Sequence, residues 1–168
     1  KENIIATRIK LNHNDNFEPN LIGYKDMIYA LANSNSSNFT TNNDVEIFSD
    51  SSDFFKSLLE DLKNAKKYIN IQFYIFRDDE IGNEIIDILI DKAKKGVEVR
   101  LLYDAVGSKL FSDKSIHKLK KAGVKVGAFF PSFMKIINFN LNYRNHRKIV
   151  VIDGQTAFTG GVNLADEY

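Results

Sequence analysis

Residues 145–163, NHRKIVVIDGQTAFTGGVN, predict a β-hairpin. This hairpin decides how the second half of the chain folds. Ile149–Ile152 is β-branched throughout and bounded by polar residues, which is typical of a buried strand. The pair Asp153 and Gly154 favours a tight hairpin turn, and Thr156–Thr159 is the predicted returning strand. This hairpin brings the end of the stretch back to its beginning.

The two ends of the hairpin carry the candidate functional residues. His146 and Lys148 are two positions apart, so on an extended strand their side chains project to the same side. The hairpin returns Gly160, Gly161 and Asn163 to that end. An imidazole, a fixed cation, a glycine pair and an amide at one place suit the binding of a phosphate group.

Composition limits the classes of protein to consider. The 168 residues are 43% apolar, which fits a folded domain with a sizeable core. With 23 basic and 22 acidic residues the net charge is +1, so the strongly basic face of nucleic-acid binders is not indicated. The absence of cysteine excludes disulfides and thiolate chemistry. No apolar run approaches the roughly 20 residues that span a bilayer, so the chain as given is expected to be soluble.

Two regions follow from the residue pattern. Residues 1–43 are expected to form a leader with one short helix over 18–32 and a Ser/Asn-rich linker over 33–43. Beyond it, residues 44–168 are expected to form one domain.

The pattern within the predicted domain alternates short strands with helices of about a dozen residues. Besides the hairpin, strands are predicted over 45–48, 68–76, 97–103 and 124–129, and helices over 83–95, over 112–122 and after a cap at Ser51 or Ser52. This alternation predicts an α/β fold, a mostly parallel sheet with helices on both faces, which the closing hairpin makes mixed.

Polar residues at predicted strand ends are further candidates, because functional residues of such sheets collect there. Asp78, Asp79 and Asp104 occupy these positions, although each fits a cap or a solvated loop charge better. No histidine or cysteine accompanies the aspartate pair, so no metal site is predicted. His13, in the polar leader, and His117, on a helix, lack neighbours that suggest chemistry.

The spacing of the hairpin residues resembles the signature of the phospholipase D superfamily, H-x-K-x(4)-D followed by G-[GS]-x-N. The matching residues are His146, Lys148, Asp153, Gly160, Gly161 and Asn163. More narrowly, residues 44–168 are similar to the N-terminal catalytic half of bacterial cardiolipin synthases, on the stretches 69–82, 92–108 and 142–163.

The resemblance implies a phosphatidyl transferase that acts on phosphatidylglycerol through a phosphohistidine, without a cofactor or metal. His146 is expected to attack phosphorus or to protonate the leaving alkoxide. Lys148 and Asn163 are expected to hold the non-bridging oxygens, while Gly160 and Gly161 let the backbone approach the phosphate.

Asp153 completes the catalytic set of the signature, yet its position favours another role. It lies an odd interval of seven residues from His146, and on an extended strand such an interval points a side chain to the opposite side. A structural role in the turn is therefore favoured over direct catalysis.

Catalysis of this type needs two histidines, one as nucleophile and one as acid and base. Because the chain has one motif, the resemblance implies a second phospholipase D-like half, in the same full-length chain or in a homodimer partner. Residues 1–168 are expected to be a fragment, truncated at its C-terminal end and inactive alone. The full-length protein is expected at the cytoplasmic side of a bacterial membrane, with a phospholipid substrate and no nucleic acid.

The apolar segment 129–139, FFPSFMKIINF, is a candidate for contact with acyl chains or the bilayer interface, and packing under the sheet or against a second half is the alternative. Two other functions stay open: a homodimeric phosphodiesterase or nuclease, and a non-catalytic module that binds phosphate or lipid. The near-neutral charge and the apolar segment count against a nuclease.

Overall fold

A computed structural model of the chain describes residues 19–35, 43–129 and 144–168. The chain divides into two units, Lys1–Ile47 and Phe48–Tyr168. The predictions made for His13 and for most of segment 129–139 lie outside the described residues. Among the described helices, none has the length and apolar character needed to cross a membrane.

The first unit contains a 3-10 helix, Pro19–Tyr24, that leads into helix α1, Lys25–Asn35. The helix predicted over 18–32 is therefore present and ends slightly later than expected. The strand predicted over 45–48 is wrong. Residues 43–48 pair with no strand, and the side chains of Val45 and Ile47 are exposed, so their apolar character has no sheet to bury it.

The second unit is an α/β domain. Its elements are α2 (Ser51–Asn64), β1 (Tyr68–Phe73), α3 (Glu80–Lys94), β2 (Glu98–Asp104), α4 (Asp113–Lys121), β3 (Lys125–Phe129), β4 (Ile149–Ile152) and β5 (Thr156–Thr159). The strand order is β3-β2-β1-β4-β5. Strands β1, β2 and β3 are parallel, and β4 is antiparallel to both of its neighbours, so every strand except β4 runs in one direction. The prediction of a mixed, mostly parallel α/β sheet is confirmed.

Short polar side chains start the helices. Ser112 caps α4, as predicted. Helix α2 is capped by Asp50, whose Oδ1 accepts the N–H of Ser52 at 2.7 Å, and not by a serine. Helix α3 begins at Glu80, earlier than predicted, because Asp79 caps it.

The start of α3 is also tied to the end of the described chain. The carboxylate of Asp166 accepts the N–H groups of Glu80 and Ile81, each at 2.9 Å. In return, Asp79 accepts the N–H of Asp166 at 2.9 Å. Two aspartates thus satisfy backbone donors that a helix N-terminus leaves without intrahelical partners.

The core lies on one face of the sheet. Ile69, Ile71 and Phe73 of β1 are buried in a single cluster with the apolar sides of α2, α3 and α4. The opposite face carries a shallow open groove lined by Asn70, Gln72, Arg100, Leu102, Ile149 and Val151. Among the described residues, helices of this domain therefore cover one face, and the expectation of helices on both faces is met on that face alone.

Strand β4 shows the same division. Val150 and Ile152 are buried, whereas Ile149 and Val151 face the groove and are half-buried. The strand was predicted to be buried throughout, because an apolar run does not show which of its faces is covered.

The hairpin is confirmed. Asp153 has φ 56° and Gly154 has φ 73°, and the N–H of Gln155 donates to the carbonyl of Ile152 at 3.1 Å. Two successive positive φ values are the geometry of a turn that matches the twist of paired strands.

Candidate active site

The sheet brings the ends of β1, β2 and β5 and the start of β4 to one edge. Gln72 near the end of β1 pairs with Ile149 at the start of β4, and β2 ends beside β1 because the two are parallel. Ile149 also pairs with Thr159, the last residue of β5. Residues just beyond these ends, from four separate parts of the chain, therefore meet at the carboxyl edge of β1.

His146 and Lys148 lie together at this edge. The imidazole of His146 is exposed and stacks on the ring of Tyr74, with 3.9 Å between centroids and 18° between planes. The ammonium of Lys148 donates to the carbonyl of His146 at 2.9 Å and lies 5.5 Å from the centre of the Tyr74 ring. One aromatic ring thus contacts both candidate groups, through stacking and through a cation–π interaction.

Asn145, the residue before His146, anchors the approach to β4. Its backbone N–H donates to Asp104 at 3.0 Å, and its side-chain oxygen accepts from Gln72 at 2.9 Å and from the N–H of Arg147 at 3.3 Å. These contacts fix the backbone on both sides of His146, although His146 itself is exposed.

Asp104 is buried, at 1% exposure, and both oxygens of its carboxylate accept backbone N–H groups. One oxygen accepts the N–H groups of Val106 and Gly107, each at 2.9 Å, and the other accepts Asn145. The sequence identified Asp104 only as a polar strand end. It missed Tyr74, Gln72 and Asn145, and the one signal for Gln72 was a polar residue within an apolar strand.

Gly160 and Gly161 follow β5 at the same edge and are exposed. Neither has a positive φ, and a Cβ added to either would meet no described atom within 4 Å. Neither backbone conformation nor packing against described residues requires glycine here. The expected approach of a phosphate to these two glycines stays a prediction.

Asn163 is near the site but is committed to the fold. Its side chain is 4% exposed, its oxygen accepts the N–H of Ile75 at 3.2 Å, and its nitrogen donates to the hydroxyl of Tyr168 at 2.8 Å. An amide nitrogen carries two hydrogens, so one remains after these contacts. In this structure Asn163 holds the residue after Tyr74, and its expected contact with phosphate stays a prediction.

Asp153 is not brought to the site. It lies at the opposite end of β4, roughly 17 Å along the chain from Lys148 at about 3.4 Å per residue. Its carboxylate accepts the N–H groups of Lys66, Lys67 and Tyr68 at 2.8, 2.7 and 2.8 Å. Desolvation acts to raise the pKa of Asp153, but these three donors and the charge of Lys67 outweigh it and hold the pKa below the usual 3.8.

The other acidic and histidine candidates lie outside the site. Asp79 caps α3. The carboxylate of Asp78 accepts the N–H of Ser112 at 3.1 Å and the hydroxyl of Ser115 at 3.0 Å. In the part of the chain that the structure describes, no group of three or more histidine or acidic residues is placed to hold a metal ion. His117 is exposed on α4.

The arrangement can support phosphoryl transfer. An exposed imidazole is available as a nucleophile or as a general acid and base, and an adjacent ammonium can offset charge that develops on phosphoryl oxygens. The two glycines leave the approach open.

Comparisons with known proteins point in the same direction. A family model described as the PLD-like domain of cardiolipin synthase matches residues 58–168. The cardiolipin synthase of Oceanobacillus iheyensis is 47% identical over 98% of this chain and 35% of its own length. The major cardiolipin synthase ClsA of Bacillus subtilis is 49% identical over 86% of this chain and 30% of its own length. The chain thus spans about a third of the length of these curated relatives.

Among solved structures, NucT from Helicobacter pylori has a TM-score of 0.52 and 22% identity, with 70% of each chain covered. At this level of identity the likeness shows a shared fold.

Proposed function

Because this chain belongs to the cardiolipin synthase family of phospholipase D-like domains, we propose that it supplies one half of the active site of a phosphatidyl transferase. The donor is phosphatidylglycerol, the acceptor is a second phosphatidylglycerol, and the products are cardiolipin and glycerol. The observation that carries the proposal is the exposed His146 imidazole, held against Tyr74 beside the ammonium of Lys148.

The first step forms a bond between a ring nitrogen of His146 and phosphorus, and it breaks the bond between phosphorus and the glycerol oxygen. The leaving oxygen takes a proton from a second histidine, and glycerol is released. In the second step, that histidine removes a proton from the acceptor hydroxyl, which attacks phosphorus and frees His146. In the alternative assignment, the second histidine is the nucleophile and His146 is the general acid and base.

Lys148 and the glycine pair act on the phosphoryl oxygens. The ammonium of Lys148 offsets negative charge that grows in the transition state. Backbone groups at Gly160 and Gly161 can come close to the phosphate, because glycine has no Cβ and a Cβ added at either position would meet no described atom within 4 Å.

The second histidine belongs to another part of the assembly. Among the described histidines, His117 lies exposed on α4 and has no described contact with His146, Lys148 or Tyr74, so we do not assign it to the site. We assign the missing group to a second phospholipase D-like half, in the same full-length chain or in a homodimer partner. Because the lipid is held in a bilayer, a membrane surface is the expected site of action.

The proposal is tested with the complete gene product in vesicles that contain phosphatidylglycerol labelled in its head group. We expect release of labelled glycerol together with formation of cardiolipin. His146→Gln is expected to lower turnover by at least about a hundredfold, and Lys148→Gln by about a hundredfold. His117→Gln is the matched control and is expected to leave turnover within about twofold.

Two results would contradict the proposal. Unchanged turnover in His146→Gln removes the histidine from the chemistry. Conversion of the lipid to phosphatidic acid without any cardiolipin favours the alternative function, a phosphodiesterase. Acid-labile phosphate trapped on His146 would identify it as the nucleophile, and label confined to the second half would make it the acid and base.

A further inference from the structure

The contacts around His146 point to a residue that sets its orientation. We propose that Tyr74 is a positioning residue, which fixes the direction of the His146 imidazole for phosphoryl transfer, and that the loop 104–108 holds both rings in place. The catalytic consequence of this inference rests on the proposed function.

Stacking leaves the reactive part of the imidazole free. The two ring planes are separated by 3.9 Å between centroids and inclined by 18°, so Tyr74 covers one face of the ring. The imidazole nitrogens lie in the ring plane and point past the edge of Tyr74. Rotation of the imidazole out of this plane would break the stack, so the contact restricts the plane in which those nitrogens lie.

This restriction matters because His146 is otherwise exposed. An exposed side chain samples several rotamers, and a misplacement of about 1 Å can cost about a hundredfold in rate. The same ring lies 5.5 Å from the ammonium of Lys148. Loss of the ring therefore removes a restraint on both groups that act on the phosphate.

The loop after β2 packs against Tyr74 and bonds to its carbonyl. A Cβ on Gly107 would lie 2.4 Å from the Tyr74 carbonyl oxygen and 2.9 Å from its ring, so only glycine fits against it. The hydroxyl of the buried Ser108 donates to the same carbonyl at 3.1 Å and accepts the N–H of Phe76 at 3.0 Å. The backbone from the Tyr74 carbonyl to Phe76 is thus fixed on one side of the ring, and β1 ends at Phe73 on the other.

The same loop holds the segment that carries His146. The buried carboxylate of Asp104 accepts Val106 and Gly107 with one oxygen and Asn145 with the other. A single side chain thereby joins the loop under Tyr74 to the residue that precedes His146. The distance between the two stacked rings is set by this connection and not by the rings alone.

The test compares Tyr74→Phe with Tyr74→Leu in the complete gene product. Phenylalanine keeps the ring and is expected to leave kcat within about twofold. Leucine removes the ring and is expected to lower kcat by about tenfold or more with KM changed by less than about twofold, because orientation and not lipid binding is lost.

A spectroscopic readout separates orientation from general damage. The Tyr74 ring current displaces the NMR signals of the His146 ring protons, which are identified as the histidine signals that His146→Gln removes. We expect Tyr74→Leu to abolish this displacement and Tyr74→Phe to keep it. Tyr103→Leu is the matched control, because Tyr103 lies beside Phe73 on the neighbouring strand and packs on Phe111 instead.

Three outcomes would overturn the inference: His146 signals unchanged in Tyr74→Leu, an equal loss of kcat in Tyr74→Phe and Tyr74→Leu, or a loss expressed in KM alone. Failure of the proposed function is a different result. A wild-type protein that makes no cardiolipin, yet hydrolyses an aryl phosphodiester with the expected loss in Tyr74→Leu, contradicts the lipid reaction and supports the role of Tyr74.

Discussion

Side chains of the signature differ in what the fold requires of them. His146 is exposed, and Gly160 and Gly161 face open space among the described residues. In contrast, the side-chain oxygens of Asn163 and Asp153 accept backbone N–H groups that are distant in the sequence. Part of the signature is therefore available to a ligand, and part holds together the segments that carry it.

The glycine pair gives a prediction at this scale. Gly161→Ala is expected to change the free energy of unfolding by less than about 1 kcal/mol, and toward higher stability, because alanine restricts the unfolded chain and meets no described atom in the folded one. Transferase activity is expected to fall at least about tenfold, because the methyl group occupies the approach to the backbone. Chemical denaturation and a lipid assay on the same preparation check both parts.

Gly107→Ala is the contrasting variant. Its Cβ would overlap the Tyr74 carbonyl, so this variant is expected to lose about 1–3 kcal/mol of stability. If Gly161→Ala were as active as the wild type, the glycine would have no role toward phosphate.

At the scale of elements, the hairpin β4–β5 is joined to β1 at both ends. At one end Asp153 binds the three N–H groups that precede and begin β1. At the other end Asn163 binds Ile75, just after β1. Two polar side chains thus tie the hairpin to β1, and the end that carries His146 can stay exposed.

Asp153→Ala is expected to lower the free energy of unfolding by about 1–3 kcal/mol, because it leaves three backbone donors without their carboxylate. The activity of folded protein, measured well below the melting temperature, is expected to stay within about twofold. Loss of activity at unchanged stability would return Asp153 to a direct role in catalysis.

The pH dependence of this effect has a definite sign. The pKa of Asp153 is lower in the folded state than its usual 3.8, so the unfolded state binds the proton more readily. The stability contributed by the carboxylate is therefore fully present above pH 3.8 and is lost as the pH falls through the folded pKa. The difference in the free energy of unfolding between wild type and Asp153→Asn is expected to narrow as the pH falls through the folded pKa.

Local patterns were sufficient for much of this architecture. Periodicity and turn residues predicted α2, α3, α4, the three parallel strands and the hairpin, because each depends on neighbours in the chain. The strand predicted over 45–48 failed because a strand also needs a paired partner, which four residues do not reveal. The role of Tyr74 could not be predicted, since its contacts with His146 and Gly107 arise only when separate loops meet at the sheet edge.

At the scale of the molecule, the two units differ in how they are built. Among the described residues, the hydrophobic core of the second unit is built from residues between 48 and 164. Phe48 belongs to it through its ring contacts with Phe54 and Phe158, at 6.0 and 6.4 Å.

A shortened protein tests this division. The melting temperature of residues 44–168 is expected to lie within about 3 °C of that of residues 1–168, because the core of the second unit is intact. Residues 49–168, which lack Phe48, are expected to melt several degrees lower. Equal melting of the two shortened proteins, or a large loss for 44–168 in calorimetry, would contradict the division.

The contacts between the residues that follow β1 and the end of the described chain affect the order in which the domain forms during translation. Ile75, Glu80 and Ile81 bond to partners 88, 86 and 85 positions later. At translation rates of about 5–20 residues per second, the ribosome needs roughly 4–17 s to make those partners. Helices form within microseconds, so α3 can form long before Asp166 exists. Among the described residues, the edge that carries His146 therefore receives these neighbours late in synthesis.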